Sequence, residues 1–287
     1  MEDRSGDKGG RPLRRPADAG RVGKGRAAGS APRRSGPDRA RRAQPRPPSD
    51  ALSADGPPSG GRAIPGQPSG PVIPPTVEAR QLAPDVRAEL STLDRSTADT
   101  VARHLVAAGE LLDEDPEAAL AHAQAARTRS GRIAAIREAV GIAAYHCGDW
   151  AQALSEFRAA RRMGSKSQLL PLIADCERGV GRPERAIELA RSPEAAQLSG
   201  DDADEMRIVA AGARADLGQL DQALAVLSSP APDPSRTGPT AARLFYAYAE
   251  TLLALDRPAE ALQWFMHSAA ADLDGVTDAE DRIDELA

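Results

Sequence analysis

Aromatic side chains are scarce in this sequence: there are eight in 287 residues, and none precedes Tyr145. The N-terminal segment therefore has no ring on which a nucleobase could stack, which excludes sequence-specific reading of nucleic acid there. Cysteine occurs twice, at Cys147 and Cys176. Two such residues make neither a disulfide framework nor a metal-ligand spacing, and small buried thiols in a reducing compartment are the expectation. The four histidines, His104, His122, His146 and His267, form no short-spaced pair of the kind that binds a metal. His146 and Cys147 are adjacent, so on a helix their side chains diverge by about 100° and form no nucleophilic dyad. No run approaches the roughly 18 apolar residues of a membrane span. No apolar stretch follows the basic N-terminus as a secretory signal requires. Lysine occurs only at Lys8, Lys24 and Lys166. Gly23-Lys-Gly-Arg26 lies in no strand–helix context, so it is no phosphate-binding loop. These absences point to a cytoplasmic, non-enzymatic chain with no cofactor and no metal.

What is present is unevenly distributed. Residues 1–70 hold 15 Lys and Arg against 7 Asp and Glu, together with 11 Pro and 13 Gly. The net charge of −5 thus divides into +8 on this segment and −13 on residues 71–287. A segment so poor in apolar side chains cannot offset the entropy of ordering its backbone, so residues 1–75 read as a disordered basic tail. Pro71-Val-Ile-Pro-Pro75 closes it as an extended linker. The abundance of Arg and Ala over Lys matches a GC-rich bacterial coding bias.

The remainder is periodic. Five turns share one pattern, a short turn followed by alanine in the sixth place: Glu114-Asp-Pro-Glu-Ala-Ala119, Gly148-Asp-Trp-Ala-Gln-Ala153, Gly181-Arg-Pro-Glu-Arg-Ala186, Gly218-Gln-Leu-Asp-Gln-Ala223 and Asp256-Arg-Pro-Ala-Glu-Ala261. Their starts lie 34, 33, 37 and 38 residues apart. Glycine at the turn can take the left-handed conformation just past a helix end. Asp115 and Asp149 can cap the next helix, and Pro116, Pro183 and Pro258 suit its first turn. The alanine marks the place where two helices cross too closely for a larger side chain. Ser192-Pro193 and Ser229-Pro230 should stop the second helix of the third and fourth units early, which accounts for the longer spacings.

The arrangement resembles the tetratricopeptide repeat. Its densest copy is Arg132–Gly164, where Val140-Gly141, Gly148-Asp-Trp-Ala-Gln-Ala-Leu154, Phe157 and Ala160 match the family pattern. A tryptophan near the start of the first helix is missing from every copy, Phe245 being the nearest substitute. The chain is similar to uncharacterised tetratricopeptide proteins of high-GC Gram-positive bacteria, on the run Ala174-Asp-Cys-Glu-Arg-Gly-Val-Gly-Arg-Pro-Glu-Arg-Ala186. The resemblance implies an all-α solenoid of helical hairpins wound as a right-handed superhelix. Residues 76–96 are expected to form a linker and a capping helix on Leu82, Val86, Leu90 and Leu93. Residues 97–271 make five helix pairs, opened by a capping box at Ser96-x-x-Asp99. Residues 272–287 are an acidic tail whose short helix starts at a second box, Thr277-Asp-Ala-Glu280.

It also implies a protein-interaction scaffold that holds a partner segment on the concave face, which in this family is lined by the first helix of each pair. The positions so placed include Glu138, Tyr145, Asp175, Arg178, Tyr246 and Glu250. A Lys/Arg/Asn clamp for chaperone C-termini is ruled out, because the matching positions hold His104, Ala108, Glu138, Ile142 and Tyr145. For Tyr145 and Tyr246 ordinary packing between repeats stands beside partner contact, and Asp175 with Arg178 reads as a surface ion pair. An acidic array attracts basic partner segments. The alternative is an RNA- or ribosome-associated factor making weak nucleic-acid contacts through Arg14, Arg15, Arg33, Arg34, Arg41 and Arg42 of the tail.

Overall fold

The computed structural model describes residues 70–165 and 168–287. The basic tail with its six arginines, and Lys166, lie outside the described residues. Twelve α-helices and no strands occur among the described residues. A short helix, α1 (Pro84–Glu89), is followed by five hairpins. These are α2 (Arg95–Leu111) with α3 (Pro116–Arg129), α4 (Ala134–His146) with α5 (Trp150–Arg162), and α6 (Leu170–Gly179) with α7 (Pro183–Ala190). Then come α8 (Gly200–Asp216) with α9 (Leu220–Leu227), α10 (Pro239–Ala254) with α11 (Pro258–Ala271), and finally α12 (Ala279–Leu286). Each second helix also packs on the first helix of the next pair: α3 on α4, α5 on α6, α7 on α8 and α9 on α10. The apolar clusters run from one pair into the next, as in a one-dimensional repeat array, and the last hairpin adds a cluster of its own around Phe245.

The turns are built as the glycines lead one to expect. Gly148, Gly181 and Gly218 have φ of 72°, 77° and 72°, and Asp256 stands in the same slot at 59°. All four turns close with the same two bonds. The Gly148 N–H donates to Tyr145 O and the Asp149 N–H to Ala144 O, a pattern repeated at Gly181, Gly218 and Asp256. Two helix-terminal carbonyls are thereby satisfied before the chain reverses. Asp115 and Asp149 then accept from the amides of Ala118 and Gln152 at 2.9 and 3.0 Å. The five slot alanines, Ala119, Ala153, Ala186, Ala223 and Ala261, are all 0 % exposed. Gly141 is the complementary small residue on α4. A Cβ built there would lie 2.6 Å from the Phe157 ring on α5, which sets how closely the two helices approach.

Electrostatic ties cross the same seams. Glu156 of α5, almost fully buried, bonds Arg127 of α3 and Arg137 of α4. Glu177 of α6, also buried, bonds Arg158 of α5, and Glu205 of α8 bonds Arg243 of α10. A buried carboxylate that lost its arginine would remain as an unpaired charge, so these pairs penalise any slip of one hairpin against the next.

At the proline breaks, α7 ends at Ala190 and α9 at Leu227, each after eight residues. The loop between α9 and α10 is held by Arg236, which bonds Asp204 and, at 3.1 Å, Asp201. Three local expectations are corrected. First, α2 begins at Arg95, because Asp94 caps it, accepting from Thr97 N at 3.0 Å and Ser96 Oγ at 2.7 Å; the Ser96-x-x-Asp99 box does not form. Second, Thr277 gives its hydroxyl to Asp272 at 2.7 Å, so the second box does not form and Asp278 precedes α12 without a side-chain cap bond. Third, Leu82 to Leu93 form no single helix but α1 flanked by 3-10 turns at Ala79–Gln81 and Leu90–Thr92. Glu89, at the end of α1, accepts from Ala135 N at 3.1 Å and so serves the open N-terminus of α4.

Gly141→Ala is expected to lose about 1–3 kcal/mol of unfolding free energy in urea, since the added methyl meets a ring that is itself 0 % exposed. An unchanged midpoint would show that α4 and α5 have slack.

Candidate functional site

The side chains of the first helices form a connected polar run across three consecutive hairpins. The Tyr145 hydroxyl on α4 donates to Asp175 on α6. Arg178, one turn further along α6, donates to Asp175 at 2.8 Å and to Asp216 on α8 at 2.7 Å. The Tyr145 ring stands edge-on to Trp150, with centroids 4.9 Å apart. The Arg178 guanidinium lies over Gly212 of α8, where a Cβ would come within 3.2 Å of it. Gly212 therefore makes room for the arginine to reach the third helix. Glu138, two turns before Tyr145, accepts from the hydroxyl of Ser165 beyond α5. Tyr145, Asp175 and Arg178 are all half-buried and Asp216 is exposed.

Tyr246 and Glu250 stand apart from this run. Tyr246 lies edge-on to Phe265 at 5.3 Å. Burial pushes its phenol pKa up, and a hydrogen bond to Asp278 adds to the rise. Glu250 accepts from Arg282 of α12 at 2.7 and 2.9 Å, and that guanidinium sits 5.5 Å over the Phe265 ring. Ala279, Ile283 and Leu286 of α12 join the same apolar cluster. The C-terminal helix thus engages both side chains, as a sixth first helix would.

Sequence reasoning gave no sign of two participants. Trp150 was legible only as a turn residue, and Asp216 carried no distinguishing pattern. A further arrangement had no sequence signal. His104 of α2 and His122 of α3 have Nδ1 atoms 3.1 Å apart, and both rings are buried. Eighteen residues of separation hid the pair, because it depends on how the two helices cross. Among the described residues no group of three His, Cys, Asp or Glu side chains is placed to hold a metal. Cys176 is buried, and burial raises its thiol pKa, which suits a packing role rather than a nucleophile. Cys147 is half-buried and its thiol donates to Pro116 O at 3.2 Å. No described helix is long and apolar enough to cross a membrane.

Comparison with known proteins agrees with this geometry. Residues 173–277, a little over a third of the chain, match the family model described as Tetratrico peptide repeat. The hairpins from α6 to α11 thus match tetratricopeptide repeats, and the described residues form an all-helical array of hairpins of that kind. The densest copy of the motif, in α4 and α5, lies before the matched segment. No curated protein matches the chain.

The histidine pair makes stability depend on pH. One Nδ1 must carry the proton and the other must accept it, so a second proton would set N–H against N–H. Burial lowers both pKa values, that of His104 to about 4, with Arg129, His122 and Arg103 acting in the same direction on His104. In the unfolded chain histidine titrates near ~6.5. As pH falls below that value the unfolded chain takes up protons first, and stability is lost down to about 4. Urea unfolding at pH 7 and pH 4.5 should differ by about 2 kcal/mol from this source. The double variant His104→Leu/His122→Leu should lose most of that slope. An unaltered slope would place the titration elsewhere.

Proposed function

We propose that the chain is a non-enzymatic adaptor that holds an extended partner segment along the face formed by α4, α6 and α8. The observation that carries this is the run Tyr145–Asp175–Arg178–Asp216, which presents an aromatic edge, a carboxylate, a guanidinium and a second carboxylate on three successive first helices. Repeats of this type are protein-interaction scaffolds, and a straight strand of a partner can meet one such group per repeat. Tyrosine offers a large rigid surface with one polar tip, which suits an interface. The run is braced by its own bonds, so little ordering entropy is lost when a partner arrives.

The charge of −13 on residues 71–287 supports a basic partner segment. Such a segment would bring Arg or Lys to Asp175 and Asp216, and it would be released by salt as exposed ion pairs are. Glu250 and Tyr246, engaged by α12, are assigned to closing the stack rather than to the partner.

A second reading rests on the +8 of residues 1–70, which supports weak, sequence-independent contact with nucleic acid through the tail arginines. Deleting residues 1–75 should abolish any co-sedimentation with ribosomes or RNA and leave partner capture by the helical array intact. Co-sedimentation that survives the deletion would remove the tail from the account.

The main reading is tested by Asp216→Lys. The side chain is exposed, so helix content should be unchanged, while capture of the partner from the native host should fall about ten-fold, the loss of roughly one favourable charge contact plus the added repulsion. Wild-type capture should weaken as salt rises. Equal capture by the variant at all salt concentrations would contradict the assignment.

A further inference from the structure

The two short second helices leave a gap over α8. α7 and α9 have eight residues each, whereas α3, α5 and α11 have 14, 13 and 14. On the face of α8 between them, Met206, Ala210 and Arg214 are buried and Arg207 is half-buried. Two adjoining cavities of about 430 and 130 Å³ occupy the gap and share Arg207, Arg214 and Val226 as walls. The smaller cavity is lined by Ile187, Ala190, Met206 and Ala210 together with the exposed Arg191, and the larger opens past Gln222, Ala225 and Ser229.

Arg214 is the unusual member. It is 8 % exposed, yet its guanidinium meets only neutral amide oxygens, those of Gln219 at 3.2 Å and of Gln222. Its buried Nε has no hydrogen-bond partner, and no carboxylate is paired with it among the described residues. The other buried arginine, Arg243, is matched by Glu205. Arg207 in the same cavity is matched by Asp204 and also donates to the carbonyls of Leu227 and Pro230. A buried guanidinium without a counter-ion is costly, and a low-dielectric cavity strengthens its pull on an anion.

We propose that this cavity binds a monocarboxylate carried on a short apolar chain. Arg214 takes the carboxylate at the polar end, and Met206, Ala210 and Val226 receive the chain. Arg191 also lines the smaller cavity but is exposed to solvent, and Arg207 is paired, so Arg214 is the one buried guanidinium of the lining without a carboxylate; it suits one negative charge, and a phosphate dianion would bring charge that it does not match. The site lies on the opposite side of α8 from Gly212, which is two residues from Ala210 and so about 160° round the helix. It is therefore independent of the partner face proposed above.

The test is binding to the full chain of hexanoate, hexanamide, N-acetylleucine and inorganic phosphate, followed by ligand-observed NMR. Hexanoate or N-acetylleucine should bind about ten-fold more tightly than hexanamide or phosphate, the discrimination expected of a charge-assisted contact. Whichever of the two carboxylates binds more tightly identifies the source, an alkyl acid or a peptide C-terminus. Arg214→Gln should abolish the preference for carboxylate. Ala225→Trp, introduced at an exposed wall position, should block binding by filling the mouth while the protein stays folded. Equal binding of hexanamide, binding of phosphate as tight as that of the carboxylates, absence of carboxylate binding, or undiminished binding by Ala225→Trp would each overturn the proposal.

Discussion

The close crossing of helices at one alanine per hairpin governs this molecule. Ala119, Ala153, Ala186, Ala223 and Ala261 have no exposed surface, and each follows its turn at the same interval. A methyl group is the largest side chain the crossing accepts, and the two bonds that close each turn fix where the crossing falls. Dispersion contacts across such a seam are individually weak and collectively large. Because each hairpin shares its apolar cluster with the next, the seams support one another along the stack. Buried Glu156, Glu177 and Glu205 add register, since a shifted hairpin would strand a charge.

Function follows from where this regularity holds and where it breaks. Regular stacking brings α4, α6 and α8 side by side, so residues 30 and 38 apart in sequence join into the run from Tyr145 to Asp216. The breaks at Ser192-Pro193 and Ser229-Pro230 remove about one and a half turns from α7 and α9. That loss leaves a cavity beside the far side of α8, where Arg214 is buried without a counter-ion. The same sequence thus carries a face set by the repeat and a cavity set by its interruption.

The repeat itself was legible because its signals are local. A glycine past a helix end, an aspartate or proline at the next first turn and an alanine at fixed spacing each act within a few residues. The early ends of α7 and α9 were legible for the same reason. Pairings across helices were not. His104 with His122, Arg178 with Asp216 and Glu250 with Arg282 depend on crossing angle and rotamer, which no spacing encodes. The cap at Asp94 was missed because Ser96 and Asp99 fit a capping box two residues later, whereas the Asp94 carboxylate reaches the Thr97 amide and starts the helix earlier. Of the six groove positions expected from the family resemblance, Tyr145, Asp175 and Arg178 come together. Glu138 meets Ser165, and Tyr246 and Glu250 are engaged by the terminal helix.

The central claim is that the slot alanine admits no larger side chain. Urea unfolding of Ala153→Leu against Ala151→Leu tests it directly, since the first residue is 0 % exposed and the second, two positions earlier on α5, faces solvent. The account predicts a loss of about 1–3 kcal/mol for Ala153→Leu and a change within about 0.5 kcal/mol for Ala151→Leu. Equal stability of the two variants would contradict it.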